Sequence, residues 1–389
     1  MFAKVADQRR MVARVSLAFV GVLSLRTVVF ALGVALVVVT VRSAIRQFVL
    51  PRSAPDALTR TIFLFTRFLF DLRLGKAATY EARDSVMALY APVTLLFVPV
   101  VWLALVLSAY TAMYWALGVR PLIDAIRISG SSLLTLGFAV AGELPTLLLT
   151  FSEAAIGLIL VALLISYLPT MYAAFSRREA VVNMLEVRAG SPPAPVELFA
   201  RYHRLGQLDD LAAMWVVWEQ WFVDIEETHT SLAVLSFFRS PQPDRSWITA
   251  AGAILDAGAL YSSTLDLPRN PQAELCLRAG YLALQRIADF FGIAHNADEQ
   301  VNRPISIARG EFDEVCARLV ADGVPVKADL DRAWRDFQGW RVNYDLVLLA
   351  LASLTMAPYA LWSSDRSIPV RRRLFTGNPF RRKGRSIGG

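Results

Sequence analysis

Hydrophobic positions along the chain fall into three long runs and then change their period. Val15 to Val41 is apolar except for Arg26, Tyr90 to Tyr110 carries no charge, and Thr146 to Tyr172 carries only Glu153. At 1.5 Å per residue, each run is long enough to cross a hydrocarbon core as a helix. Between the first two runs the pattern differs. Arg42, Arg46, Arg52, Arg60, Arg67, Arg73, Lys76 and Arg83 are interleaved with Phe and Leu at helical spacing around Thr61 to Phe70. That patch is too short and too charged to span, and it predicts an amphipathic helix lying at the inner membrane surface. Arg26 would cost roughly 2.5–3.5 kcal/mol at mid-bilayer. A span beginning near Thr27 lets it snorkel, and a charge facing other helices is the alternative.

Beyond Ser176 the pattern becomes that of an ordinary globular chain. Glu179 to Arg188 continues the third run as a helix, and Gly190 to Pro195 reads as a linker. Helical periods follow over Leu211 to Ile225, Trp247 to Leu260, Pro271 to Phe291, Glu311 to Ala321 and Lys327 to Phe337. Leu346 to Leu361 is apolar but short, contains Pro358 and lies between Asp345 and Asp365, so it predicts a buried helix or membrane-surface segment in place of a fourth span. The expected fold is an all-α membrane protein with three transmembrane helices and an all-α cytoplasmic C-terminal domain. Its parts are an N-terminal transmembrane helix (1–50), an amphipathic linker (51–88), a domain holding the second and third runs (89–178), a helical domain (179–365) and a basic tail (366–389).

Composition agrees with a membrane part followed by a water-facing part. The 389 residues are 55% hydrophobic and carry a net charge of +7, with a mean hydropathy of +0.45. Basic residues cluster beside the apolar runs and in the tail, which points to an anionic membrane face and away from nucleic acid. The charge bias places Arg42 to Arg83 and the chain after Arg177 inside, and Arg120 on the other face. The expected location is the cell inner membrane, crossed several times. Cys276 and Cys316 lack a Cys-x-x-Cys partner, so neither a disulfide framework nor a zinc knuckle is expected.

The stretch between the second and third runs is unlike its neighbours. Pro121 to Leu133 predicts a short helix, and Ser129-Gly130-Ser131-Ser132 leads into Thr135-Leu136-Gly137-Phe138 and the loop Ala139 to Pro145. Non-helical backbone at membrane depth survives only where it is buried in protein or lines water, so this dip suggests a re-entrant loop.

The order span, short helix, Thr-x-Gly-aromatic, span resembles the pore module of the potassium-channel superfamily. With Glu153-Ala154-Ala155-Ile156-Gly157-Leu158 and Leu164-Ile165-Ser166-Tyr167-Leu168, the stretch Tyr90 to Glu179 is similar to bacterial two-transmembrane ion-channel-like proteins. The resemblance implies four subunits around one axis, with backbone carbonyls replacing the water around a cation. Thr135 would supply the innermost oxygens, Leu136 and Gly137 the next carbonyl rings, and Phe138 the outer ring. Turning successive carbonyls toward one axis needs alternate left-handed dihedrals, which Gly137 adopts freely. Phe138 replaces the family's Tyr and lacks its hydroxyl, while Ala139 replaces its second Gly. The resemblance thus carries pore architecture further than potassium selectivity. Glu153 reads as a cation-attracting or filter-bracing carboxylate, or as an interfacial charge. Gly157 reads as a hinge or a close helix contact, and Pro169 as a kink.

No Gly-x-Gly-x-x-Gly follows a strand, so no nucleotide cofactor is expected. Asp224, Glu226, Glu227 and His229 invite a metal or acid–base reading, but no His-Glu-x-x-His pair is present and His203 and His295 have no ligand-like spacing to them. Trp215, Trp218, Trp221, Phe222 and Met214 form a stripe at helical spacing and predict core packing. The expected function is a homotetrameric channel for monovalent cations, potassium among them, with a helical regulatory domain. A non-conducting scaffold or sensor and a membrane-anchored enzyme are the rivals.

Overall fold

A computed structural model of the chain describes residues 2–48, 57–73, 80–293 and 304–366. Arg52, Lys76, His295 and the tail arginines from Arg371 onward lie outside the described residues, as do the side chains of the first fourteen residues and of Arg83. Among those described the protein is helical, with one isolated bridge between Leu265 and Val326. The helices are α1 (Phe2–Phe48), α2 (Ala57–Arg73), α3 (Tyr80–Ala88), α4 (Tyr90–Ala116), α5 (Leu122–Leu133), α6 (Leu144–Ala189) and α7 (Pro195–Arg204). They continue as α8 (Leu211–Ser231), α9 (Trp247–Ser263), α10 (Pro271–Phe290), α11 (Arg309–Ala321), α12 (Leu330–Arg341) and α13 (Asp345–Thr355). Among the described residues, three helical stretches are long and apolar enough to cross a membrane: Leu23–Phe48, Asp84–Ala116 and Leu144–Ala189.

The chain divides into two compact units. The first comprises Met1–Leu50, Asp56–Ile62 and Thr94–Pro169. Here the end of α1 meets α4 and α6 through aromatic side chains, with the Phe48 ring 5.3 Å from that of Trp102 and 4.4 Å from that of Tyr167. Edge-to-face contacts of this kind add to the area that the rings bury. Much of the apolar surface is nevertheless left uncovered. Only 17% of the most apolar window of α6 is buried, as suits a helix whose remaining faces meet lipid or other protein. The helix continues without interruption through Pro169.

The second unit comprises Pro51–Pro55, Phe63–Val93 and Thr170–Gly389. Its core is built on α8, which packs along α10, with α9 against α10 and α12. Trp215, Trp218, Trp221 and Phe222 are all buried there, so the aromatic stripe is core. Side-chain caps set the starts of α9, α10 and α12. Ser246 accepts from the Ile248 amide, Asn270 from that of Gln272 beside Pro271, and Asp329 from that of Arg332. The Asp329 cap explains why α12 begins at Leu330 when the periodicity suggests Lys327, whose own amide donates to the Thr264 carbonyl. Gly190, at φ 80°, ends α6, and the expected linker closes as a tight turn into α7 within this unit. The apolar segment after Asp345 forms the buried helix α13 and stops before Pro358.

Two buried arginines organise this unit. Arg341, with no exposed surface, donates through Nε to Asp345 at 2.8 Å, pairs through Nη1 with Asp256, and reaches the Trp362 carbonyl. Tyr344 adds its hydroxyl to Asp256 at 2.8 Å. Every charge in the group has a close opposite, the condition under which buried ions persist. Arg178, equally buried near the end of α6, donates to the carbonyls of Leu235 and Phe238, each at 2.8 Å, and to Glu179 at 2.8 Å. It thereby fastens the 3-10 turn Ala233–Phe237 to α6.

Candidate functional site

The residues singled out between the second and third apolar runs lie on α5, on the loop 134–143 and on the first half of α6, all within the first unit. α5 is patterned opposite to a water-soluble helix. Ser129, Ser131 and Ser132 are buried, whereas Leu122, Ile123 and Ile126 are exposed. The serines use their hydroxyls inward. Ser131 Oγ accepts from the Ala139 amide at 3.0 Å, and the Leu136 amide donates to the Ser131 carbonyl at 2.8 Å. One residue of α5 thus holds the loop at two points.

Held in this way, the loop reverses its backbone twice in three residues. Thr135 has φ 53° and Gly137 has φ 73°, both left-handed. Gly137 accepts this freely, having no Cβ. For the β-branched Thr135 the same region costs about 1–3 kcal/mol and persists only where the surroundings impose it. Leu134, Leu136, Phe138 and Val140 are all more than half exposed, so the loop presents an apolar face outside this single chain.

Glu153 lies behind the loop with no exposed surface. Ser129 Oγ donates to its Oε1 at 2.5 Å, and the Tyr114 hydroxyl of α4 donates to its Oε2 at 3.1 Å. Tyr114 also lies 3.1 Å from Thr150 Oγ1, and Tyr110 lies 2.9 Å from Ser152 Oγ. One carboxyl therefore links α4, α5 and α6. Such a group is costly in an apolar setting unless its oxygens are satisfied, and here each has a donor. Gly157 sits one turn further along α6. A Cβ there would fall 2.1 Å from the Leu133 carbonyl oxygen, so the end of α5 approaches α6 where only glycine fits.

The structure therefore gathers Thr135, Leu136, Gly137, Phe138, Ala139, Glu153 and Gly157 around the end of α5. Pro169 lies twelve residues beyond Gly157 on α6, at the boundary between the units. Sequence reasoning assigned no role to Ser129, Ser131 or Tyr114, which make the anchoring bonds. For the two serines the signal was the run Ser129-Gly130-Ser131-Ser132 of small residues, and Tyr114 gave none.

The candidate acidic cluster of the second unit has a different arrangement. Asp224 faces Arg177 at 3.4 Å and Glu226 pairs with Arg286, whereas His229 points inward. Its ring lies 4.6 Å from that of Trp247, tilted by 51°, and Arg178 Nη1 lies 3.3 Å from its Nε2. Burial and the adjacent guanidinium hold its pKa well below the ordinary 6.5, which makes Nε2 an acceptor. Among the described residues no group of three His, Cys, Asp or Glu is placed to hold a metal ion. Cys276 is buried, and burial raises its thiol pKa above the ordinary value, which disfavours the thiolate a nucleophile needs.

Comparison with protein-family models, with curated proteins and with solved structures gives no match for this chain.

Proposed function

We propose that the protein is a homotetrameric channel for monovalent cations in a bacterial inner membrane, with the loop Thr135 to Ala139 as its selectivity filter and the second unit as a cytoplasmic regulatory domain. The observation that carries this reading is the left-handed pair Thr135 and Gly137, separated by Leu136 and just after a short helix. Alternation of this kind turns successive carbonyls to one side, and the strained Thr135 is a conformation that a plain connecting loop does not need. The exposed apolar face of the loop supports assembly with further copies, because one chain provides one loop and a closed ring of carbonyls needs several. Glu153, enclosed by Ser129 and Tyr114, acts as a brace for the filter. The basic end of α6 carries the input, since Arg178 ties it to the turn Ala233–Phe237 of the regulatory domain.

Flux of rubidium or potassium into liposomes holding the purified chain tests the proposal, with Gly137→Asp as the control. Flux from the wild type and none from a folded Gly137→Asp tetramer is expected. No flux from a verified wild-type tetramer overturns the channel and favours the scaffold reading. Phe138, which lacks the filter hydroxyl, and Ala139, in place of a glycine, are the residues that favour that second reading.

A further inference from the structure

A groove separate from the loop lies between α1 and α6 in the first unit. It has a volume of about 500 Å³, within the roughly 300–1,000 Å³ typical of sites for small molecules. Val38, Val41 and Ile45 of α1 and Ile156 of α6 wall it, and Arg42 and Arg46 also line it. The α1 residues recur at intervals of three and four, so valines, isoleucine and arginines share one face of the helix. Arg42 is exposed and Arg46 half-buried. Among the described residues neither guanidinium has a hydrogen-bond or carboxylate partner.

The chemistry of this face selects its occupant. Apolar walls remove hydrocarbon from water or accept it from the bilayer, and two unpaired cations one helical turn apart attract a negative group. A molecule that satisfies both has an acyl chain and an anionic headgroup. The arginines lie in the last two turns of the candidate span Leu23–Phe48, the depth at which long basic side chains meet lipid phosphates. We infer that this groove binds an anionic phospholipid, its acyl chain along Val38, Val41, Ile45 and Ile156 and its phosphate on Arg42 and Arg46. The inference does not depend on whether the loop conducts.

The test uses the full chain in nanodiscs of phosphatidylcholine doped with phosphatidylglycerol, released gently and weighed by native mass spectrometry. The wild type is expected to retain phosphatidylglycerol over phosphatidylcholine by on the order of tenfold, the preference that two interfacial arginines supply. Arg42→Gln with Arg46→Gln should bring the ratio close to one, the matching pair of Lys substitutions should restore it, and Ile156→Trp should lower retention of both lipids by filling the groove. Equal retention by the wild type, or a preference unchanged in the double Gln variant, overturns the inference. If the Gln variant does not fold, a phosphatidylglycerol carrying a photoreactive acyl chain decides on the wild type. Label on Val37 to Arg46 or on Ile156 supports the site, whereas label confined to other segments, or a copy-to-copy cross-link through the groove, overturns it.

Discussion

Gly157 and Thr135 show how single positions set the geometry around the end of α5. A methyl group at Gly157 would press into the Leu133 carbonyl, which is backbone and has little room to retreat. Gly157→Ala is therefore expected to destabilise the first unit by about 3 kcal/mol through overpacking, measured as a lowered thermal midpoint in detergent. The conservative Ala155→Gly on an exposed face of the same helix should cost about 1 kcal/mol or less. The need for a left-handed residue at Gly137 was legible in the sequence, because glycine announces that freedom. Thr135 gave no such signal, since β-branched residues avoid positive φ and the hold of α5 on the loop, through Ser131 and the Ser132 carbonyl, imposes it. Glu153 stood out as the only charge in its run, yet its partners come from helices 24 and 39 residues away and no local pattern names them.

Among the helices, periodicity located the members of the second unit and side-chain caps decided the starts of α9, α10 and α12. The apolar runs marked the three long helices by hydropathy alone, and the expected continuation of α6 through Arg188 ends at Ala189, where Gly190 takes its terminating geometry. What could not be read was the use of charges inside the fold. Arg178 sits in the sequence beside Arg177 like any basic flank, but one is exposed and the other fully buried between α6, α8 and the 3-10 turn. That burial fixes His229 as the neutral imidazole. Because the folded state holds the His229 pKa below 6.5 while the unfolded chain takes up a proton near 6.5, the folded state is favoured above that pH and loses stability as pH falls below it. The unfolding midpoint of the second unit should thus drop between pH 7.5 and pH 5.5. His229→Gln should flatten that part of the slope while lowering the midpoint at pH 7.5, and a slope identical to wild type would exclude His229 as its source.

In the proposed channel, assembly decides what the protein does. The exposed residues of α6, the outward Leu122, Ile123 and Ile126 of α5 and the apolar loop residues are surfaces that a lone chain leaves to lipid or to its own copies. Cross-linking in membranes followed by mass measurement is the direct reading of copy number, with four expected. One consequence follows from each chain carrying a single left-handed pair at Thr135 and Gly137. If four chains share one conduction path, a defect in any of them breaks the ring, and the trait is genetically dominant. With wild-type and Gly137→Asp chains expressed in equal amounts and mixing freely, roughly one assembly in sixteen would be free of the altered chain. A flux that fell only to half would instead mean that every chain works alone.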